Sequence, residues 1–133
     1  MESYMSKIQT VHTDKAPAAI GPYSQAIVGG GMVFCSGQIA IDPATNTIDT
    51  TASVAAQAVR VLDNLAAVLS AAGSSMDHVV RTTMFLADMA DFAAANEVYA
   101  KYFVNKPPAR VTVAVKDLPK GAKIEIDAIA LVH

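Results

Sequence analysis

The hydrophobic spacing of this chain changes between its first third and its middle, and this change limits the possible folds more than any other feature. Between Val54 and Ala72 apolar residues recur at steps of three and four, which describes one face of an amphipathic helix. Thr51 or Ser53 can cap the start of this helix, and Gly73 is well placed to end it. The predicted inner face consists of Val54, Ala58, Val61, Leu62, Leu65, Leu69 and Ala72.

The segments before this helix have the composition of β-strands. Gly29-Gly30-Gly31 suits a tight hairpin, because glycine reaches positive φ at little cost. Asp42-Pro43 together with Thr45-Asn46 predicts a second reversal of the chain. The predicted strands of this region are Lys7–Val11, Ser24–Val28, Met32–Ser36 and Gln38–Ile41.

The segments after the helix predict a strand, a second helix and two more strands. The second helix opens at Asp88 or Asp91 and is stopped by Pro107-Pro108. Its predicted inner face consists of Phe92, Ala95, Tyr99, Tyr102 and Phe103. The predicted strands are Val79–Phe85, Arg110–Val115 and Lys123–Leu131. This order predicts an α+β fold of one domain, residues 1–133, with two helices packed on one face of a mixed sheet.

The last strand has one apolar face and one face of mixed character. Ile124, Ile126, Ala128 and Ala130 alternate on the apolar face. The other face begins with Lys123, Glu125 and Asp127 and ends with Ile129 and Leu131. A face that is polar at one end and apolar at the other is typical of a subunit interface with a polar pocket at its edge.

The composition also favours self-association. Only 17% of the 133 residues are charged and 53% are apolar, whereas the usual charged share is about 25%. A chain this short has much surface to cover, so a symmetric assembly that hides part of that surface is expected. A stable monomer with an unusually apolar surface is the alternative.

Charge and cysteine content exclude several classes of protein. The net charge of −2 provides no general attraction to nucleic acid. The single cysteine, Cys35, cannot form an intramolecular disulfide and is expected to be a buried, inert thiol. Residues 1–12 resemble no targeting signal, and Asp63, Asn64 and Ser70 interrupt the apolar stretches that could span a bilayer. We therefore expect a soluble, cytoplasmic protein.

Metal and nucleotide sites are also unexpected. The three histidines, His12, His78 and His133, lack the spacing of metal ligands. The glycine run at 29–31 has no following helix, so it does not match a phosphate-binding loop.

Three local features could carry chemistry, and each also has a purely structural interpretation. Arg110 opens a strand and could bind a carboxylate with its planar fork, or be an ordinary surface arginine. Glu125 could hold or deprotonate a water, or be an outward carboxylate of an alternating strand. Tyr23 presents a hydroxyl on a rigid turn, or is an amphipathic residue at the edge of the core.

Taken together, these features resemble the RidA/YjgF family, also called the Rid family of reactive-intermediate deaminases. The resemblance covers nearly the whole chain in co-linear order. The matching segments are Ala16–Ala26, Ser36–Ile39, Gln57-Ala58, Leu62–Leu65, Asp91-Phe92, Asn96, Pro108–Arg110, Leu118–Gly121 and Lys123–Ala130.

The resemblance implies a chorismate-mutase-like α+β fold assembled as a homotrimer, with a cleft at each subunit interface. It implies hydrolysis of 2-iminopropanoate, 2-iminobutanoate and similar enamine/imine acids to 2-keto acids and ammonia, which protects pyridoxal-phosphate enzymes. No cofactor and no metal are implied.

The resemblance also implies roles for individual residues. Arg110 would bind the substrate carboxylate, and Glu125 would position or activate water. Tyr23 and Ser36 would orient substrate and water, Gly37 would bring backbone close, and Asn96 would give structural support.

This chain departs from the family pattern at Thr112, where well-known bacterial members carry a cysteine. We expect this position to contribute mainly backbone groups to substrate binding, while its side chain alters which imines fit. Ala114 is also smaller than the residue of some relatives, which affects the expected pocket size.

Three other functions are compatible with the sequence. A module that binds small carboxylates without turnover would need Arg110 but not Glu125. An RNA-directed role as translation inhibitor or ribonuclease is disfavoured by the acidic pI and by the absence of a histidine pair. A partner-binding role that uses apolar surface does not exclude deamination.

Overall fold

A computed structural model of the chain describes residues 7–133. Residues 1–6, part of the segment considered above for a targeting signal, lie outside the described residues. The two long helices are α1 (Val54–Ala71) and α2 (Phe92–Tyr102). The strands are β1 (Gln9–Val11), β2 (Ala26–Gly29), β3 (Met32–Gln38), β4 (Ile41–Asp42), β5 (Thr47–Ile48), β6 (Val79–Leu86), β7 (Ala109–Ala114) and β8 (Ile124–Leu131).

Six of the strands form one mixed sheet in the order β1-β2-β3-β8-β6-β7. All neighbours in this sheet are antiparallel except β6 and β7, which are parallel. A parallel pair needs a crossover connection, and α2 lies within it. The structure thus confirms the predicted α+β fold with two helices packed on a mixed sheet.

The structure confirms the predicted start and end of α1. The Ala56 N–H donates to Ser53 Oγ at 3.1 Å, so Ser53 rather than Thr51 is the cap. Gly73 follows the helix with a φ of 79°, a conformation that other residues adopt only under strain. The buried face includes the expected apolar residues except Ala72, which is the C-cap and only partly buried, and it also includes Gln57, Asn64 and Val68.

The predicted strand Gln38–Ile41 is wrong. Cys35 pairs with Ala128 while Gln38 pairs with Ile126, so three steps along β3 match only two along β8. One extra residue therefore forms a β-bulge at Ser36-Gly37, and β3 continues through it to Gln38. The alternation of inward and outward side chains is interrupted at Gly37, because a bulge shifts by one residue which side chains point inward. Ile41 starts a separate short hairpin instead.

Of the two predicted starts of the second helix, the structure confirms Asp91, which directly precedes the helix. Asp88 caps a single 3₁₀ turn, Met89–Asp91, by accepting the Ala90 N–H at 2.9 Å. The helix proper begins at Phe92 and ends at Tyr102, ahead of Pro107. Residues 103–108 connect the end of this helix to β7.

Helix α1 satisfies the length and composition of a membrane span, contrary to the expectation that its polar residues exclude one. Half of its residues are buried within the protein, and they include Leu62 and Leu65. This apolar face packs against the sheet and α2, which accounts for the apolar sequence.

The alternation along β8 separates the two faces of the sheet. Ile124, Ile126, Ala128 and Ala130 are buried beneath the helices, as the sequence predicted. The face turned away from the helices leaves large apolar side chains exposed. These are Phe34, Val111, Val113 and Leu131.

A buried asparagine ties α1 to the connection between β3 and β4. The Asn64 amide nitrogen donates to the carbonyls of Ile41 at 2.9 Å and Ile39 at 3.3 Å. Its oxygen accepts from Arg60 Nε at 3.1 Å. Asn64 is fully buried, so its three hydrogen bonds have no ready replacement by water if the side chain is removed.

We predict that Asn64→Ala lowers the free energy of unfolding by about 1–3 kcal/mol, because the three hydrogen bonds of this buried side chain are lost. Asn105 is exposed, so Asn105→Ala is the matched control and should change stability by less than about 0.5 kcal/mol. Urea unfolding of the three proteins measures the difference. Equal losses for both variants would contradict the assigned role of Asn64.

Candidate functional site

A cleft of about 550 Å³ opens where the bulge of β3 meets the start of β8. Tyr23, Ser36, Gly37 and Glu125, four of the residues singled out in the sequence, line this cleft. They come from three separate segments of the chain, and the bulge and the strand pairing bring them together.

Glu125 packs directly against the backbone of Gly37. A Cβ placed on Gly37 would lie 2.9 Å from the Glu125 carboxyl carbon and closer still to one carboxylate oxygen. Only glycine at this position leaves the carboxylate where it is. The bulge and its glycine therefore fix where the acid sits in the cleft.

Burial raises the pKa of the Glu125 carboxyl above its ordinary value, and the nearby charge of Asp127 raises it further. Asp127 itself is held in place, because its Oδ1 accepts the Thr83 N–H of β6 at 2.9 Å. A carboxyl group with a raised pKa binds a proton more tightly than an ordinary carboxylate does, which suits it to take a proton and pass it on.

Tyr23 lies on the rim of the cleft with 55% of its surface exposed, so it is not a residue of the core edge. A buried glutamine organises the neighbouring loop. Gln25 Nε2 donates to the carbonyls of Thr13 at 3.0 Å and Pro17 at 2.8 Å, while its Oε1 accepts the Thr13 N–H at 2.7 Å. Gln25 thereby holds the loop that forms one wall of the cleft.

A hydrogen bond fixes the direction in which the Ser36 hydroxyl donates its proton. Its Oγ donates to the Ser24 carbonyl at 2.6 Å, and its N–H donates to the Gln25 carbonyl at 3.0 Å. Because the hydroxyl proton is engaged, Ser36 can only accept a further hydrogen bond in the cleft.

Arg110 and Asn96 lie together in a second, smaller cavity of about 350 Å³. The Arg110 Nη1 donates to Asn96 Oδ1 at 2.8 Å, and the guanidinium carbon lies 4.7 Å from the centre of the Tyr99 ring. Among residues 7–133 no carboxylate pairs with this guanidinium. Its remaining N–H groups are therefore available to an anion.

The two groups of residues lie on opposite faces of the sheet. Arg110 pairs with Thr82, whose hydroxyl bonds to Tyr99 on the helix side. Glu125 pairs with Phe85, three residues further along β6 and on the other face. Within one chain, the structure thus separates the arginine from the acid. Arg110 lies on β7, an edge strand of the sheet.

Thr112 lines neither cavity, although it shares the Arg110 face of β7. Its hydroxyl oxygen is buried and has no hydrogen-bond partner within the described part of the chain.

Cys35 is buried, as expected, and burial raises the pKa of its thiol to about 12. It does not line the cleft. Among residues 7–133, no three His, Cys, Asp or Glu side chains come together in a metal-binding arrangement.

Sequence reasoning missed several residues of the main cleft. Asn46 and Lys120 contribute polar groups, and Ile20, Ile39 and Ile41 contribute an apolar lining. Lys120 lies in the Leu118–Gly121 segment, for which the family resemblance implies no residue role. The turn around Lys120 was the only sequence signal for this residue. Because Lys120 is far from Tyr23 in sequence, the sequence did not indicate that both line the same cleft.

Fold and site together define a small α+β protein with a partly apolar cleft that contains Glu125, and a separate arginine on an edge strand. The sequence profile of the family described as Endoribonuclease L-PSP matches residues 13–132. Protein DfrA of Myxococcus xanthus is 56% identical over 125 residues, covering 92% of this chain and 95% of that protein.

Two further comparisons concern a deaminase and a ligand-bound structure. Reactive Intermediate Deaminase A of Arabidopsis thaliana, a chloroplastic protein, is 49% identical over 124 residues, covering 93% of this chain and 66% of that protein. The crystal structure of E. coli TdcF with bound serine has a TM-score of 0.89 at 43% identity, covering 94% of this chain and 99% of that chain. The chain belongs to the RidA/YjgF family.

The shifted pKa of Glu125 predicts a pH-dependent effect on stability. The folded protein binds the Glu125 proton more tightly than the unfolded chain does, so ionising this group disfavours folding. The cost is absent below the ordinary carboxyl pKa of about 4.3. The cost in folding free energy grows as the pH rises toward the pKa of Glu125 in the folded protein, and it reaches its maximum above that pKa.

We therefore predict that Glu125→Gln gains stability relative to the wild type as the pH rises from about 4 toward 8. Glu97→Gln makes the same chemical change on the exposed surface of α2 and serves as the control. Urea unfolding at several pH values gives both curves. A Glu125→Gln curve that runs parallel to the wild-type curve would contradict the prediction.

Proposed function

We propose that this protein hydrolyses reactive enamine/imine acids, such as 2-iminopropanoate and 2-iminobutanoate, to 2-keto acids and ammonia. It would thereby protect pyridoxal-phosphate enzymes from these intermediates. The observation that carries the proposal is the Glu125 carboxyl, which lies in the cleft against the Gly37 backbone with a raised pKa. Family membership and the deaminase named among its relatives support the same reaction.

The reaction needs a group that transfers protons at near-neutral pH. Water adds to the imine carbon, and a proton reaches the nitrogen. The resulting carbinolamine loses the C–N bond as ammonia and leaves the C=O group of the keto acid. In our proposal the Glu125 carboxylate takes a proton from the attacking water and gives it to the imine nitrogen. It then takes the proton of the carbinolamine hydroxyl and gives it to the amine nitrogen as the C–N bond breaks, so that ammonia leaves.

Tyr23 and Ser36 complete this end of the site. The Ser36 oxygen, whose proton is engaged with Ser24, accepts an N–H of the imine or an O–H of the water. The Tyr23 hydroxyl orients the substrate from the exposed rim. Gly37 lets the substrate approach the backbone.

The substrate carboxylate requires a cation, and Arg110 is our candidate. Asn96 and Tyr99 hold the guanidinium, which has no carboxylate partner within residues 7–133. Because Arg110 and Glu125 lie on opposite faces of one sheet, we propose that each site combines Glu125 of one chain with Arg110 of its neighbour in a homotrimer. The exposed apolar side chains of the outer sheet face, among them Phe34 and Leu131, support such an assembly.

A carboxylate-binding module without turnover is the second candidate. TdcF was solved with bound serine, and Arg110, which pairs with no carboxylate among residues 7–133, fits carboxylate binding equally well. Glu125 distinguishes the two functions, since only hydrolysis requires its proton transfer. The family description names an endoribonuclease, but none of the three histidines lines the cleft and the sequence pI of 5.8 does not favour RNA binding.

We predict that Glu125→Gln lowers kcat by at least ~100-fold, the usual contribution of general acid–base catalysis, while keto-acid binding persists. A threonine dehydratase would generate the imine, semicarbazide would trap free imine, and keto-acid release would be followed. Glu97→Gln is the matched control and should retain wild-type kcat. Full activity of Glu125→Gln would remove the proposed role of Glu125 but would leave the deaminase function in place.

We predict that Arg110→Lys raises KM and lowers kcat/KM by at least ~10-fold, because lysine cannot form the bidentate fork. Arg81→Lys makes the same change at an exposed arginine and should retain wild-type kinetics in the same assay. If the wild type diverts none of the small imines from the trap, the deaminase proposal fails and the carboxylate-binding module takes its place.

A further inference from the structure

Two non-glycine residues within residues 7–133 have positive φ, and both line the main cleft. Asn46 has φ 61° and Lys120 has φ 56°. Asparagine adopts this conformation readily, but lysine does so at a cost of roughly 1 kcal/mol or more. Lys120 lies in a 3₁₀ turn that is closed when the Ala122 N–H donates to the Pro119 carbonyl at 3.1 Å. The fold thus fixes a strained lysine at the cleft.

Lys120 and Asn46 are exposed, and within the described part of the chain neither side chain has a protein partner. Among residues 7–133 Lys120 forms no ion pair, and neither side chain makes a hydrogen bond. Lys123 differs from Lys120 in this respect, because the Lys123 Nζ donates to the Ala52 carbonyl at 2.6 Å. An ammonium and an amide N–H₂ beside the same cleft form a donor set that suits a carboxylate.

This donor set is distinct from the arginine assigned to the substrate's 2-carboxylate. Arg110 lines the second cavity, whereas Lys120 and Asn46 line the cleft of Glu125. That cleft also has an apolar lining of Ile20, Ile39 and Ile41, which suits the methylene groups of a substrate side chain. Its volume of about 550 Å³ exceeds what a three- or four-carbon acid fills.

We infer that the site accepts 2-imino acids with a second carboxylate on the side chain, and that Lys120 and Asn46 bind this second carboxylate. The inference rests on the proposed function, and it names the substrate class of that same site. A dicarboxylic imine such as 2-iminoglutarate would place its 2-carboxylate on Arg110, its imine carbon at Glu125 and its far carboxylate on Lys120.

The test compares one dicarboxylic and one monocarboxylic imine. An amino-acid oxidase acting on glutamate or 2-aminobutanoate, with catalase present, would produce 2-iminoglutarate or 2-iminobutanoate in competition with semicarbazide. Lys120→Asn removes the charge and keeps a residue that tolerates positive φ, so the turn should persist. The ratio of kcat/KM for the dicarboxylic over the monocarboxylic imine should fall by ~10-fold or more, the usual effect of losing a charge-assisted hydrogen bond.

Lys101→Asn, at an exposed position of α2 outside the cleft, is the control and should leave the ratio at its wild-type value. A ratio unchanged in Lys120→Asn would overturn the inference, whether or not the absolute rates fall. Calorimetry with 2-oxoglutarate and 2-oxobutanoate separates this inference from the proposed function. Suppose that no imine is hydrolysed, but that 2-oxoglutarate binds Lys120→Asn at least ~10-fold more weakly than it binds the wild type. In that case the deaminase proposal fails and the second-carboxylate site stands.

Discussion

The contact between the Glu125 carboxyl and the Gly37 backbone determines the rest of the site. It exists because β3 carries one extra residue against β8, so the strand turns its backbone toward the acid at Ser36-Gly37. Any side chain at Gly37 would displace the carboxylate. The same packing removes water from Glu125, which together with Asp127 raises its pKa. One irregularity in the sheet thus sets both the place and the acidity of the group to which we assign proton transfer.

The second constraint is that one sheet has two faces. Strand alternation puts Arg110 on the helix side, where Asn96 and Tyr99 hold it, and Glu125 on the opposite side. No rotamer change within one chain can exchange these faces. Because β7 is an edge strand, its arginine is well placed to reach a second chain. A shared site between subunits follows from this topology if both residues act on one substrate.

Local patterns in the sequence predicted most of the fold. The three- and four-residue spacing of α1, its Ser53 cap and the glycine hairpin before Met32 are all present in the structure. The bulge was missed, because it depends on the pairing of β3 with β8 across about ninety residues of sequence. Glu125 and Tyr23 could be selected by residue type and context. Lys120 could not, since only the folded chain brings its turn to the same cleft.

Mixing of subunits tests whether each site draws Glu125 and Arg110 from different chains, as we propose. Arg110→Ala and Glu125→Ala chains would be expressed separately and together, and imine hydrolysis would be measured for each preparation. Each single variant should be inactive. Random mixing in a trimer should restore roughly a quarter of the wild-type sites, because every mixed trimer regains one intact interface. Mixed preparations that remain as inactive as the single variants would rule out a site that combines Glu125 of one chain with Arg110 of its neighbour.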